Sequence, residues 1–105
     1  MPEKEAPNGG SDILEFTTPD AAGLYNTVNG ILGLDTNTGK GDWPAGILSH
    51  AAGVQGDAFV VFEVWESKAH QEDFMNSRLG PALGQAGAPQ PNRVEWFSVI
   101  GQKAD

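Results

Sequence analysis

The segment FVVFEVW, residues 59–65, constrains the fold of this chain more than any other part of the sequence. β-Branched and aromatic residues dominate it, which predicts a strand. Side chains alternate across a strand, which divides the segment into two faces: residues 59, 61, 63 and 65 on one, and 60, 62 and 64 on the other. Both faces are largely apolar, so a sheet built on this strand needs a cover on each side.

Three further segments predict strands that pair with this one. They are ILEF at 13–16, ILSHAA at 47–52 and VEWFSVI at 94–100. The turn-forming sequence GVQGD at 53–57 lies between two of the predicted strands. It predicts a hairpin that joins 47–52 to 59–65.

The first predicted helix follows the first strand. Thr18 offers an N-cap hydroxyl and Pro19 suits the first helical position. Apolar residues then recur at helical spacing as far as Leu32, and Gly33 predicts the end of the helix. Residues 35–44 are rich in turn formers and predict a loop.

Ser67 is the predicted N-cap of a second helix that runs to about Leu79, and residues 81–86 predict a short further helical turn. The resulting order, β-α-β-β-α-β, predicts an α+β, ferredoxin-like fold, with an antiparallel sheet and both helices on one face. The other face carries residues 60, 62 and 64. We expect a second copy of the chain to cover it in a homodimer.

Length and charge limit the function classes. The 105 residues provide for one domain, which we assign to 13–100, with a disordered tail at 1–12 and a short tail at 101–105. The net charge of -8 and the absence of a basic stripe argue against nucleic acid and anionic membranes as partners. There is no cysteine and there are only two histidines, so no metal site is expected. No membrane span or signal core is predicted, and we expect a soluble, cytoplasmic protein.

Several segments together resemble the dimeric α+β barrel superfamily, and within it the antibiotic biosynthesis monooxygenase-like (ABM-like) proteins. They are PAGILSH at 44–50, VWES at 64–67, Phe74 and RLGPAL at 78–83, and the resemblance spans 13–100. It implies two sheets packed across a dimer axis, with a cavity beside each sheet. The superfamily includes cofactorless quinone-forming monooxygenases, haem-degrading enzymes, stress-response proteins and members of unknown role, so the resemblance implies fold more than chemistry.

Two departures from the enzymatic members bear on function. Those members resemble one another in an Asn on the first strand, and ILEF has none. The haem degraders carry a proximal His on the second helix, where this chain has residues such as Asp73, Met75 and Asn76, and His70 falls too near the helix start. Haem degradation is therefore disfavoured, and the resemblance implies a chain without a cofactor.

His50 and Glu63 are the candidate catalytic residues because both are polar in apolar strands. Imidazole can act as a general base near neutral pH. If the hairpin pairs these residues, they lie on one face within hydrogen-bond distance, and the carboxylate orients the ring. The alternatives are a buried, structurally satisfied His50 and a Glu63 paired with His50, Arg93 or, across the dimer, Arg78.

Four aromatic residues are candidate ligand contacts. Trp65 corresponds by resemblance to a pocket Trp at the end of a strand, and Trp43 could close the mouth of a cavity. Tyr25 could lend its hydroxyl to the same cavity, and Trp96 is a similar candidate. Core or interface packing is the alternative for each of them.

Three functions remain open. The chain could bind a small aromatic or polyketide-like ligand in an apolar cavity without turnover, or have no such role. It could be a cofactor-independent monooxygenase or isomerase with His50 as general base. It could also be a purely structural dimer module. The surroundings of His50, Glu63 and Trp65 discriminate among these functions.

Overall fold

A computed structural model of the chain describes residues 9–102. In chain order the strands are β1 (Gly10–Thr17), β2 (Leu34–Asp35), β3 (Lys40–Gly41), β4 (Ile47–Gln55), β5 (Ala58–Trp65) and β6 (Arg93–Ser98). The helices are α1 (Ala21–Leu32), α2 (Lys68–Phe74) and α3 (Gly80–Ala86), and a π-helical turn, Met75–Leu79, joins α2 to α3. No helix within the described range has the length and apolar character needed to cross a membrane.

Four strands form one antiparallel sheet in the order β4-β5-β1-β6. The predicted α+β, ferredoxin-like fold is therefore confirmed, with the α2–α3 segment as its second helical connection. The predicted hairpin is also confirmed, as β4 and β5 pair throughout, with one irregularity between Ile47 and Ser49. The predicted loop 35–44 contains most of the small β2–β3 ribbon, which pairs Leu34 with Gly41 and Asp35 with Lys40.

The core lies between the sheet and the helices. It contains apolar residues from β1, β5, the three α-helices and the π-helical turn: Leu14, Phe16, Ala21, Val28, Leu32, Phe59, Val61, Trp65, Phe74, Leu79 and Ala82. On β5 the buried and less buried residues alternate as the sequence predicts. The core therefore uses the face of residues 59, 61, 63 and 65, and leaves the face of residues 60, 62 and 64 turned away from the helices.

The start of α1 corrects one prediction. Asp20, and not Thr18, is the N-cap, because its side chain accepts a hydrogen bond from the backbone N–H of Gly23 at 3.1 Å. Thr18 instead accepts a hydrogen bond from the Asp20 backbone. The predicted end is confirmed, since Gly33 adopts the left-handed conformation that a helix C-terminus favours.

The predicted tail at 1–12 is wrong for residues 10–12, which belong to β1. Ser11 pairs with Val64 of β5, and Asp12 is completely buried. This segment reads as polar in sequence, but β5 and β6 flank it on both sides and satisfy its backbone. Gly9, directly before β1, accepts a hydrogen bond from the backbone of Val99. Residues 1–8 of that tail and residues 103–105 of the predicted C-terminal tail lie outside the described residues.

Two other boundaries also differ from the predictions. The final strand spans Arg93–Ser98, so it ends before Ile100. β4 continues to Gln55, which shortens the hairpin turn to the two residues before Ala58. The second helix begins as predicted after Ser67, whose side chain accepts a hydrogen bond from the backbone of His70.

Candidate functional site

His50 lies between two polar partners at the edge of the sheet. Its Nδ1 is 2.9 Å from Glu63 Oε2, and its Nε2 is 2.6 Å from the Tyr25 hydroxyl. When Glu63 is a carboxylate, it accepts a hydrogen bond from the N–H at Nδ1 of His50. The unprotonated Nε2 then accepts a hydrogen bond from the tyrosine O–H. The arrangement fixes one tautomer and one ring orientation of His50.

The strand register produces the first of these contacts. His50 on β4 is directly opposite Glu63 on β5. Directly opposed side chains on one face of an antiparallel pair are close enough to hydrogen-bond. The contact that the sequence predicts between these two residues is confirmed. Glu63 uses His50 as its partner, while Arg93 is paired with Glu95 and Arg78 with Asp42.

Two aromatic rings enclose the imidazole from the helix and loop sides. The Tyr25 ring from α1 is stacked on His50 with an interplanar angle of 6° and a centroid distance of 5.8 Å. The Trp43 ring approaches to 5.3 Å in a tilted arrangement. These contacts leave the His50 side chain 12% exposed and its partner Glu63 only 5% exposed. His50 is therefore open to solvent on one side only.

That open side is the floor of a groove of about 620 Å³. Its walls come from α1, the segment between α1 and β4, and β4 itself, and they include Tyr25, Thr36, Trp43, Leu48 and His50. The volume is in the range of about 300–1,000 Å³ that small-molecule sites occupy. An aromatic and aliphatic wall with a single oriented imidazole at its floor is suited to a planar organic ligand.

Arg78 holds the wall that carries Trp43. Its guanidinium donates to the backbone carbonyls of Leu32 at 3.1 Å and Asp42 at 2.6 Å, and it lies over the Phe74 ring. The indole N–H of Trp43 donates to the carbonyl of Lys40. The end of α1 and the following loop are thereby tied to the π-helical turn.

Behind Glu63, the row of opposed residues continues into the core at Asp12. Asp12 on β1 is directly opposite Glu63, and its Oδ2 accepts hydrogen bonds from Trp65 Nε1 at 3.1 Å and Gln71 Nε2 at 3.2 Å. Burial, and after it the negative charge of Glu63, raises the pKa of Asp12 to about 7. A buried acid that holds its proton near neutral pH therefore lies next to the partner of His50.

A small internal cavity of about 40 Å³ lies on the core side of the same residues. Tyr25 and His50 line it as well as the groove, so these two side chains separate the two spaces. Its lining also includes Asn29, whose Nδ2 is buried without a hydrogen-bond partner within the described chain, and Glu63. The cavity has room for a water molecule but not for an aromatic ligand.

Comparison with known proteins agrees with this architecture. No protein-family model and no curated protein matches the sequence. Solved structures do match. A protein of unknown function from Nitrosomonas europaea has a TM-score of 0.68 at 18% identity, and the match covers 91% of this chain and 93% of that one.

A proposed antibiotic biosynthesis monooxygenase from Chloroflexus aurantiacus has a TM-score of 0.64 at 16% identity, with 90% and 96% of the two chains covered. SnoaB, a cofactor-independent oxygenase from Streptomyces nogalater, has a TM-score of 0.61 at 10% identity, with the same coverage. The chain shares its fold with the antibiotic biosynthesis monooxygenase-like proteins. Since all three identities are below 20%, the likeness concerns architecture rather than residues.

Within this ABM-like fold, the predicted site residues fall into separate places. His50, Tyr25 and Trp43 meet at the groove, with Glu63 behind them. Trp65 is fully buried against Phe74 and donates to Asp12, so it contributes to the core instead of to the wall of the groove.

Trp96 lies near the other edge of the ABM-like sheet, on β6, away from His50. Its ring packs so closely on Gly10 that a Cβ there would be 2.0 Å from the indole. It lines a different surface groove with Met75 and Val94. Neither Trp96 nor Trp65 therefore contributes to the wall of the groove above His50.

Asp12 is the residue of this site that the sequence analysis misses. The polar residues around it place it in the predicted tail. A signal was available, since Asp12, Leu14 and Phe16 have the alternation of one strand face. Within residues 9–102, no group of three or more His, Asp or Glu side chains is arranged to hold a metal ion.

Proposed function

We propose that this chain binds a small aromatic or polyketide-like molecule that carries a hydroxyl group in the groove above His50. The observation that supports the proposal is a ligand-sized groove with two aromatic walls and a histidine held in one orientation. Trp43 and Tyr25 offer ring faces for a planar ligand. The polar atoms at the floor offer a specific partner for its hydroxyl group.

Isothermal titration calorimetry with naphthol tests this proposal. We expect saturable binding, and Trp43→Ala should weaken it about fivefold or more because an aromatic pair contributes roughly 0.5–1.5 kcal/mol beyond its buried area. Naphthalene, which lacks the hydroxyl, should bind more weakly. Val94→Ala, on the surface of β6 away from the groove, is the matched control and should bind as the original chain does. Equal affinity of the Trp43 and Val94 variants would refute the assignment of the groove.

The second candidate is turnover of such a ligand by a cofactor-independent monooxygenase or isomerase. The chain of Glu63, His50 and Tyr25 favours it, because a carboxylate that orients an imidazole is the arrangement of a general base. In the oxygenase version the Tyr25 hydroxyl turns away from His50 Nε2 when substrate binds. Nε2 then takes a C–H proton from an acidic aromatic substrate, and the carbanion supplies electrons to O₂. One oxygen atom becomes a carbonyl of the product and the other leaves in water.

Oxygen uptake with anthrone separates turnover from binding. Anthrone and one O₂ give anthraquinone and one water, so the reaction balances without another reductant. We expect the original chain to exceed the spontaneous rate and His50→Ala to fall to it. If the two proteins give the same rate while naphthol binding persists, the groove is a binding site without this chemistry.

We further propose that the chain forms a homodimer through the face of the sheet that the helices leave uncovered. Phe62 on β5 is 41% exposed, and its ring meets Phe97 of β6 at 6.3 Å. Val60 and Val64 lie on the same face of β5. A continuous apolar patch of this kind usually marks an interaction surface, and a second copy presents the same patch.

Sedimentation equilibrium tests the homodimer. Phe62→Lys should shift the mass to that of a monomer because it introduces a charge into the centre of the patch. Ile31→Lys makes the same change on an exposed apolar residue of α1 and should leave the dimer intact. A stable dimer without naphthol binding would favour the third possibility, a purely structural dimer module. Cytoplasmic location stays a prediction.

A further inference from the structure

Asp12 and Glu63 present two buried oxygens that have no hydrogen-bond partner within the described residues. They are Asp12 Oδ1 and Glu63 Oε1, on residues directly opposite each other in the sheet. The other oxygen of each acid is engaged, Asp12 Oδ2 by the side chains of Trp65 and Gln71, and Glu63 Oε2 by His50. Each acid therefore has one free oxygen in the same buried region.

One proton shared by the two acids accounts for both free oxygens. Two ionised carboxylates are acceptors only and cannot bond to each other, whereas a protonated Asp12 can donate to Glu63. Such a hydrogen bond to Glu63 would itself raise the pKa of Asp12. Glu63 lines the internal cavity, whereas Asp12 does not. Glu63, directly opposite Asp12 on β5, is the acceptor that the register offers to this proton.

We propose that Asp12 is a positioning residue for the groove. Its protonated carboxyl group donates a hydrogen bond to one oxygen of Glu63 and thereby holds the other oxygen of Glu63 on His50 Nδ1. Loss of the Asp12 proton near neutral pH would place two negative charges side by side and release that orientation. Ligand affinity would then decrease as pH rises. This inference rests on the proposed function of the groove, because Asp12 acts through Glu63 and His50 and touches no ligand.

The groups that face Asp12 make Glu63 the main influence on its charge. β6 presents the uncharged Trp96 directly opposite it, and α2 presents the uncharged amide of Gln71. The charged residues Lys68 and Glu72 of α2 line the surface groove beside Trp96, on the outside of the protein. Beyond Glu63, the row reaches the ionisable side chains of His50 and Tyr25.

Naphthol affinity measured from about pH 5.5 to about pH 8.5 tests this inference, since the range spans the value near 7 at which Asp12 titrates. The original chain should lose about fivefold in affinity across the range, equivalent to roughly one hydrogen bond. Asp12→Asn keeps an oxygen for Trp65 and Gln71 and has a permanent N–H donor for Glu63, so its affinity should be constant. If the variant follows the original pH profile, the dependence belongs to His50 itself and the inference is wrong.

Ring-nitrogen NMR of His50 without ligand separates failure of this inference from failure of the proposed function. We expect the Nδ1–H tautomer signals to persist across the range in Asp12→Asn and to change near pH 7 in the original chain. Asp57→Asn, at an exposed position on the hairpin turn, is the matched control and should titrate as the original chain does. If naphthol never binds, the groove assignment fails while these spectra still test Asp12. Identical spectra for all three proteins would overturn the positioning role.

Discussion

Replacement of Asp12 by Asn should make the protein more stable at alkaline pH and leave it almost unchanged at acid pH. Asp12 is completely buried, and burial together with the Glu63 charge raises its pKa from 3.8 to about 7. The folded chain therefore binds this proton more tightly than the unfolded chain between these two values. The free energy of unfolding must then fall as pH rises through this window.

The magnitude follows from the same two values. At about 1.4 kcal/mol per pKa unit, the interval between 3.8 and about 7 corresponds to about 4 kcal/mol of lost stability. The Asp12 contribution is fully favourable below about pH 4 and is lost above about pH 7. An Asn at this position is never charged, so the variant should avoid a loss of up to that size.

Urea unfolding of both proteins at a series of pH values from about 4 to about 8 measures this difference. Acids other than Glu63 contribute equally to the two curves, so the difference between them reports on Asp12 and its interaction with Glu63. We expect it to grow from near zero to a few kcal/mol in favour of Asp12→Asn. Parallel curves would mean that Asp12 is ionised throughout and that Glu63 shares no proton with it.

Three further substitutions test other parts of the structure. Gly10→Ala should destabilise the chain by roughly 1–3 kcal/mol, because the new Cβ would meet the Trp96 ring. An unchanged thermal unfolding temperature would refute this packing. Arg78→Ala should lower the free energy of unfolding by roughly 1–3 kcal/mol, because two backbone carbonyls lose their donor, and it should expose Trp43. An unaltered NMR signal of the Trp43 indole would show that Arg78 does not hold the loop that carries it. Tyr25→Phe should lower the free energy of unfolding by about 1 kcal/mol and shift the NMR signals of the His50 ring, since Nε2 loses its hydrogen-bond donor. Unchanged ring signals would mean that the Tyr25 hydroxyl does not bond to His50.

The strongest periodic signals in the sequence predicted the fold correctly. In β5 the alternation of large apolar residues defines both faces, and the structure buries Phe59, Val61 and Trp65 on one of them. The sequence predicts the contact between His50 and Glu63 only on the condition that the hairpin pairs these two residues. The register of β4 and β5 meets that condition, and alternation alone could not have supplied it.

The sequence could not place residues whose surroundings are set by distant parts of the chain. Asp12 is buried by Trp65 and Gln71, which are more than fifty residues away in sequence. Trp65 shares a strand face with Glu63, yet it lies beneath Phe74, while Glu63 reaches towards the sheet edge. How deeply a side chain lies depends on where the helices cross the sheet, and strand alternation carries no information about that.

The cross-strand row of Asp12, Glu63 and His50 gives the site a gradient of exposure. The row lies on β1, β5 and β4 in turn, and the exposure of its side chains rises from a fully buried acid to a histidine at the groove. A charge is least favourable at the buried end, because desolvation is greatest there, and most favourable near solvent. The neutral acid therefore belongs at Asp12, and the carboxylate that accepts a hydrogen bond from His50 belongs nearer the groove. If Asp12 ionises, a second negative charge lies in the core beside that of Glu63. Asp12→Asn removes this charge without removing the side chain, and it is for this reason the most informative substitution in the chain.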